Sequence, residues 1–357
     1  MAEDEAEIAE VPPRSNAALW GQEDAEQVLL AAYRSGRLPH AWLIGGKGGI
    51  GKATLAFRFA RFLLAGGDKS ADSLAVDPDN PVFRRVASAG HADLLTVERQ
   101  FDEDKGRRKK DIAVDDVRKI APFLRLTAAE GGWRVVVVDG ADGMNRSGQN
   151  AILKILEEPP KRALLLLVTD RPAALLPTIR SRCRALAMPP LPNPVVERLI
   201  ARYRPDIEAG PRGALAEIAE GSIGRALDIA ANDGLSLLGS FLTIAAGNPV
   251  DWPKAHALGD KLGSAAADES FRTLSQLVVD WLGRAAREAG RGADPARRRE
   301  IVPGEKDLAQ RLTGGRLERA LEVWEKVAHL FARSDGANLD RRLTVISALD
   351  AVSAALR

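Results

Sequence analysis

The chain holds a single cysteine, Cys183, which excludes an internal disulfide framework and a zinc site built from several cysteines. Aromatic residues are scarce, 5% in all with two tyrosines, and they form no run of stacking platforms for a nucleic-acid strand. Neither sign of charge dominates. Fifty-one basic residues against 49 acidic leave a net +2, too little to draw the whole chain to nucleic acid or a membrane surface. No apolar run approaches the roughly 20 residues of a membrane span. The acidic opening "MAEDEAEIAEVPPR" lacks the apolar core of a signal peptide, so the expected location is the cytoplasm. What remains is a composition of 45% apolar and 28% charged residues over 357 positions, which suits a globular protein of two or three domains.

The most informative stretch is "IGGKGGIGKATLA", Ile44 to Ala56. Gly46 to Lys52 fits the phosphate-binding pattern G-x-x-x-x-G-K-[ST] through the lysine, and the hydroxyl position is then Ala53. An apolar run, Ala41 to Ile44, precedes the loop, and Leu55, Phe59, Phe62 and Leu63 follow at helical spacing, so the loop joins a strand to a helix. In such loops the backbone amides at Gly48, Gly49, Gly51 and Lys52 face phosphate oxygens at a helix N-terminus. The hydroxyl after the lysine ligates Mg²⁺ in an active enzyme. Ala53 has none, and Thr54 is turned a further 100° or so round the helix. The plain alternative is a glycine turn that only packs a strand against a helix.

The remaining strands are read from apolar runs: "DLLTV" from Asp93, "WRVVVVDG" from Trp133, "ALLLLVTD" from Ala163 and "CRALAM" from Cys183. Four consecutive valines suit a strand buried on both faces of a parallel sheet. Helices are expected over 22–35, with Val28, Leu29 and Ala32 on one face, over 114–124, and over 149–160, with Ile152, Ile155 and Leu156 inward. Strands alternating with helices predict a doubly wound α/β domain. Beyond the linker "PPLPNP", Pro189 to Pro194, the pattern is helical throughout. Leu317, Leu321, Trp324, Ala328 and Phe331 recur at helical spacing, as do Leu343, Ile346, Leu349 and Val352. Asp139 ends an apolar strand where nucleotide enzymes hold Mg²⁺, but Gly140 stands where an adjacent glutamate would polarise water. Asp139 also reads simply as a polar strand end. His40 and His91 read as structural. The basic stretches Arg107 to Lys110 and Arg284, Arg287, Arg291 and Arg297 to Arg299 read as solvated faces.

"HAWLIGGKGGIGKATLAFRFARFLL", "GGWRVVVVDGADGMN", "NAILKILEEPP" and "TIRSRCRAL", in that order, resemble the delta prime family of bacterial DNA polymerase III clamp-loader subunits, within the AAA+ superfamily. The likeness is strong over 19–187 and diffuse beyond, where it includes "NLDRRL" from Asn338. It implies an AAA+ α/β domain, a parallel sheet with helices on both faces, over 16–187 after a flexible tail of 1–15. A small helical lid over 188–247 and an all-α collar over 248–357 would follow. By resemblance, Arg182 of "SRC" reaches in trans to the ATP of a neighbouring motor subunit, and Thr169 matches a residue that senses the γ-phosphate. In "GSIGRAL", Gly224 takes the position of the family's second sensor arginine, with Arg225 displaced by one. The segment from Asp68 to Pro81 lacks the cysteines of the motor subunits' zinc module, so no zinc is expected.

The resulting expectation is a non-hydrolysing stator. It would work with gamma/tau and delta subunits to load the sliding clamp onto primed DNA, as a component of the DNA polymerase III holoenzyme and not an enzyme on its own. The intact cradle leaves ATP or ADP binding open. The competing readings are an active gamma/tau-like motor, a self-contained P-loop phosphotransferase and a nucleotide-gated regulatory module.

Overall fold

In the computed structural model of the chain, residues 12–102, 107–109, 111–291, 299–314, 317–337 and 340–356 are described. Outside them lie residues 1–11 of the expected tail, part of the charged stretch up to Lys110, Arg297 and Arg298 of the second basic stretch, and Asn338 with Leu339. The chain divides into two compact units. The first reaches to Val196 and includes Gly221–Gly224, and the second comprises Glu197–Glu220 with Arg225–Arg357.

The first unit is built on five parallel strands, β1 (Ala41–Gly45), β2 (Leu94–Val97), β5 (Arg134–Asp139), β6 (Ala163–Thr169) and β7 (Arg184–Ala187). They lie in the order β2-β5-β6-β1-β7. A two-residue antiparallel ladder, β3 (Phe101–Asp102) with β4 (Arg107–Arg108), stands apart from that sheet. The valine run of β5 pairs with β2 on one side and β6 on the other. Its side chains alternate between two cores, as a strand covered on both faces must. Val135 and Val137 join Phe59 and Leu63 on one face, while Val136 and Val138 join Ile152 and Leu156 on the other. The α/β class with helices on both faces is therefore as expected.

Helices α1 (Glu23–Arg34) and α2 (Lys52–Leu64) cover one face. The buried side of α1 is Ala25, Leu29 and Leu30, while Val28 is exposed. Arg61 is buried in α2, with its guanidinium 4.5 Å from the Phe83 ring of α3 (Pro81–Ala87). It donates to the carbonyls of Arg14 and Asn16, both at 2.7 Å, and so ties the described start of the chain to α2. Burial, with Arg58 alongside, pulls the Arg61 pKa down to about 10.

Two expected helices are each broken. The 114–124 segment is α4 (Val114–Arg118) and α5 (Ile120–Arg125). The 149–160 segment starts earlier, as α6 (Arg146–Ala151), and continues as α7 (Leu153–Glu157). The earlier start has a local cause: the Asn145 side chain accepts a hydrogen bond from the Gly148 amide, an N-cap that periodicity alone does not reveal. The short α8 (Pro177–Arg180) precedes β7, and α9 (Asn193–Tyr203) follows it.

Among the described residues no strand follows Ala187. The second unit is carried by α10 (Ala209–Ala219), α11 (Ile223–Ala231), α12 (Gly234–Ala246), α13 (Trp252–Gly263), α14 (Asp268–Gly290), α15 (Glu305–Thr313), α16 (Leu317–Ala337) and α17 (Arg341–Leu356). Trp281 is fully buried there, and Phe271 meets Phe331 edge-on at 6.0 Å. The expected stripes need correction. Ala320, Val327 and Phe331 form the buried side of α16, with Leu317 and Leu321 exposed. Helix α17 is buried over most of its circumference and leaves Leu343 outside. A helix packed on several sides loses the one-sided pattern from which a face is read.

Candidate functional site

In a parallel sheet, ligand sites form at the carboxyl ends of the strands, where the connections diverge. Here that edge gathers the Gly46–Gly51 loop after β1, Arg99 beyond β2, Asp139 and Gly140 at the end of β5, and Thr169 and Asp170 at the end of β6. A cleft of about 400 Å³ opens beside them, with Arg14, Phe57, Arg99, Asp139, Asp142 and Asp170 among its walls.

The loop is built for close approach. Gly49 has φ +71°, and a Cβ there would fall 2.4 Å from Ser222 Oγ and 2.9 Å from the Gly224 backbone. The Gly224 amide donates to the Gly49 carbonyl at 3.1 Å. Glycine at 224, where the resemblance leads one to expect arginine, therefore serves backbone-to-backbone packing on the loop. Arg225, one position on, pairs with Asp280. Gln22 steadies the loop from behind, donating from Nε2 to the carbonyls of Ile50 at 3.3 Å and Pro189 at 2.9 Å. Gly51 caps α2 in the left-handed region.

Lys52 is buried, and its charge is already met. Its Nζ lies 2.7 Å from Asp170 Oδ1 and also donates to the Lys47 carbonyl. The second Asp170 oxygen sits against the loop, 2.9 Å from where a Cβ on Gly48 would be. A carboxylate from the end of β6 thus spans the lysine and the glycine turn, the place the motif reserves for phosphate oxygens. Thr54 is buried on α2. Ala53 offers a metal no oxygen. The residues following the loop do not fit a nucleotide–Mg²⁺ complex of the ordinary P-loop kind.

At the end of β5 the turn is rearranged. Gly140 adopts φ +78°, a conformation strained for any residue with a side chain, and its missing Cβ would lie 3.7 Å from the Arg99 guanidinium. A short 3₁₀ turn, Ala141–Gly143, then brings Asp142 to the end of β6. Asp142 accepts from the Thr169 hydroxyl at 3.0 Å and from the Asp170 amide at 3.3 Å. It also accepts from Arg171 Nε at 3.2 Å and Nη2 at 3.1 Å, and the Arg99 guanidinium stands 3.6 Å away. Burial opposes its ionisation, but the hydrogen bonds from Arg171 and Thr169 outweigh it and hold the carboxyl below its usual range. Thr169 is fully buried, and its hydroxyl also accepts from the Arg171 amide. The predicted γ-phosphate sensor thus has its hydrogen bonds taken up within the chain. Asp142, Asp170, Arg99 and Arg171 were not singled out for this edge from the sequence. None stands at a motif position, and only the fold brings them together.

Arg182 lies away from this edge, just past α8. Its Nη1 donates to the Thr178 carbonyl at 3.0 Å, its Nη2 is 2.8 Å from Glu157 Oε1, and 36% of its side chain is exposed. Cys183 beside it packs against the core, and burial pushes its thiol pKa up to about 11 from an ordinary 9.0. The thiolate is the reactive form, so native Cys183 is expected to alkylate at pH 8 about a hundredfold more slowly than in denaturant, with the rate climbing as pH approaches 11. A timed maleimide titration measures this, and equal rates in both states would contradict it. His91 is likewise structural: its Nδ1 accepts from the Asp93 amide at 3.1 Å. Among the described residues no cluster of histidine, cysteine or carboxylates has the arrangement of a metal site. No single helix among them is long and apolar enough to cross a membrane.

Residues 21–192 match the family described as DNA polymerase III, delta subunit. A relative named DNA polymerase III subunit delta' in Pseudomonas aeruginosa is 36% identical over 184 residues, which cover 51% of this chain and 53% of the relative. A DNA polymerase III subunit gamma/tau in Mycobacterium bovis is 31% identical over 190 residues, 53% of this chain and 31% of the relative. The chain thus spans about half of the first relative's length and less of the second's. Among solved structures, a DNA polymerase III gamma subunit-related protein from Thermotoga maritima aligns over 92% of this chain and all of that one, with TM-score 0.43 and 18% identity. The matched segment contains the whole parallel sheet, the glycine loop and Arg182.

Proposed function

We propose that the chain is a delta prime-type subunit of a bacterial clamp loader. It acts as a non-hydrolysing stator and supplies Arg182 in trans to the ATP site of an adjacent motor subunit. The observation that carries the first half is the Lys52–Asp170 ion pair. The one cation that a phosphate loop aims at nucleotide is already neutralised from within the same domain. Ala53 and Gly140 point the same way, for the Mg²⁺ ligand and the water-activating carboxylate are both missing. The half-exposed guanidinium of Arg182, outside this closed edge, supports the second half. An arginine reaching a neighbour's transferring phosphoryl group stabilises charge that develops there.

In this reading the partners are gamma/tau and delta subunits, and through them the sliding clamp and primed DNA. The lid over 188–247 and the collar over 248–357 would be the parts that hold the ring together. The loop is kept because it fastens the end of β1 to α2 and to the Gly221–Gly224 turn, a packing role that needs no nucleotide. Reconstitution with its own motor subunits tests the proposal: the complex should load clamps with this chain's Lys52 replaced by Ala. Loss of loading in a complex that still assembles would favour an active gamma/tau-like motor.

A further inference from the structure

Glu157 of helix α7 and Arg182 in the turn after α8 form an ion pair. Glu157 closes α7, immediately before Glu158, Pro159 and Pro160. A helix C-terminus already presents negative carbonyl ends, so it is an unfavourable place for a carboxylate unless a cation meets it. Both side chains are substantially exposed, at 50% for Glu157 and 36% for Arg182. An ion pair of that kind adds little to stability. Its effect is geometric instead. A guanidinium carries five N–H donors. One is taken by the Thr178 carbonyl, Glu157 meets the group at one nitrogen, and among the described residues nothing else reaches it. Glu157 in turn has no other partner among the described residues.

We propose that Glu157 is a positioning residue for Arg182. Together with the Thr178 carbonyl it restricts a long, rotamer-rich side chain to one orientation and leaves its remaining donors for a phosphoryl group on the neighbouring subunit. This inference rests on the trans-acting reading of Arg182. Ordering the arginine beforehand removes a cost that would otherwise fall on the transition state, so the benefit appears in kcat and not in nucleotide affinity.

The test is steady-state ATPase of the reconstituted complex, with assembly checked by size exclusion, for Arg182→Ala, Glu157→Ala, Glu157→Gln and the Arg182→Ala/Glu157→Ala pair. Glu157→Ala is expected to lower kcat at the dependent site about tenfold with KM unchanged. Glu157→Gln, which still accepts an N–H, should recover most of that loss. The double variant should be no slower than Arg182→Ala alone, because the glutamate acts only through the arginine. If Arg182→Ala is slow while Glu157→Ala matches the unaltered complex, the positioning role is overturned and the trans-acting arginine stands. The role is also overturned if Glu157→Ala raises KM instead, speeds turnover, or adds its full effect to Arg182→Ala. An unaffected Arg182→Ala complex would remove both readings together.

Discussion

Arg182→Ala should slow ATP hydrolysis at the one neighbouring site by about 10³-fold, with nucleotide binding there largely kept. The size follows from the chemistry. In phosphoryl transfer, charge spreads over the equatorial oxygens in a site from which water is excluded, and a guanidinium placed there is worth several kcal/mol. In a ring with several motor sites the effect is diluted. It should be measured in complexes whose other motor subunits carry their own loop lysine changed to alanine. Folding of the variant is not at risk, because Arg182 holds only one backbone carbonyl and one half-exposed carboxylate. Turnover within a factor of two of the unaltered complex would contradict the prediction.

Asp170→Ala should open the loop to anions. In the unaltered chain the Asp170 carboxylate neutralises Lys52 and lies against Gly48, so an incoming phosphate must displace one negative charge and avoid its repulsion. Two unit charges 4 Å apart near a protein surface interact by about 4 kcal/mol, and solvent at a half-exposed aspartate reduces that. Even about 1.4 kcal/mol of relief is tenfold in affinity. The variant is therefore expected to bind ADP or inorganic phosphate at least about tenfold more tightly than the unaltered chain, measured by calorimetry. It should also lose about 1–3 kcal/mol of stability in the absence of anion, because a buried ammonium is left with the Lys47 carbonyl alone. Added phosphate should restore part of that loss. Unchanged anion affinity in the variant would mean that Asp170 does not guard the cradle.

The sheet was legible because its signals are local. Four valines in a row, a leucine run ending in Val168–Thr169, and glycines at left-handed turns each carry their own physical reason. The glycine loop, Lys52 and Asp139 each stand at a fixed place in a short pattern, whereas Thr169 and Arg182 are named only through the family resemblance. What could not be read depends on contacts across the fold. Asp170 follows Thr169 in the chain, but that it turns back to Lys52 is set by the β1–β6 register, which pairs Gly45 with Thr169 and brings the two loops together. Asp142 lies beyond Asp139 in the chain and reaches the end of β6 only through a rearranged turn. The left-handed Gly140 and the 3₁₀ turn after it supply that rearrangement and deliver Asp142 to Thr169. The breaks at Lys119 and Ile152 left no mark in the hydrophobic period. The buried surface of α17 was misread because a helix enclosed on several sides has no single face to find.

The proposed stator keeps its phosphate loop closed on itself, through Lys52 and Asp170, and acts through Arg182 on a neighbour. Nucleotide binding and ATP turnover by the full isolated chain with Mg²⁺, beside Lys52→Ala and Asp170→Ala, test it most directly. No turnover is expected from any of the three, with binding at least about tenfold tighter once Asp170 is removed. Turnover by the unaltered chain that disappears in Lys52→Ala would contradict it, because Thr54 or another group would then be replacing the missing ligand and the chain would be a motor in its own right.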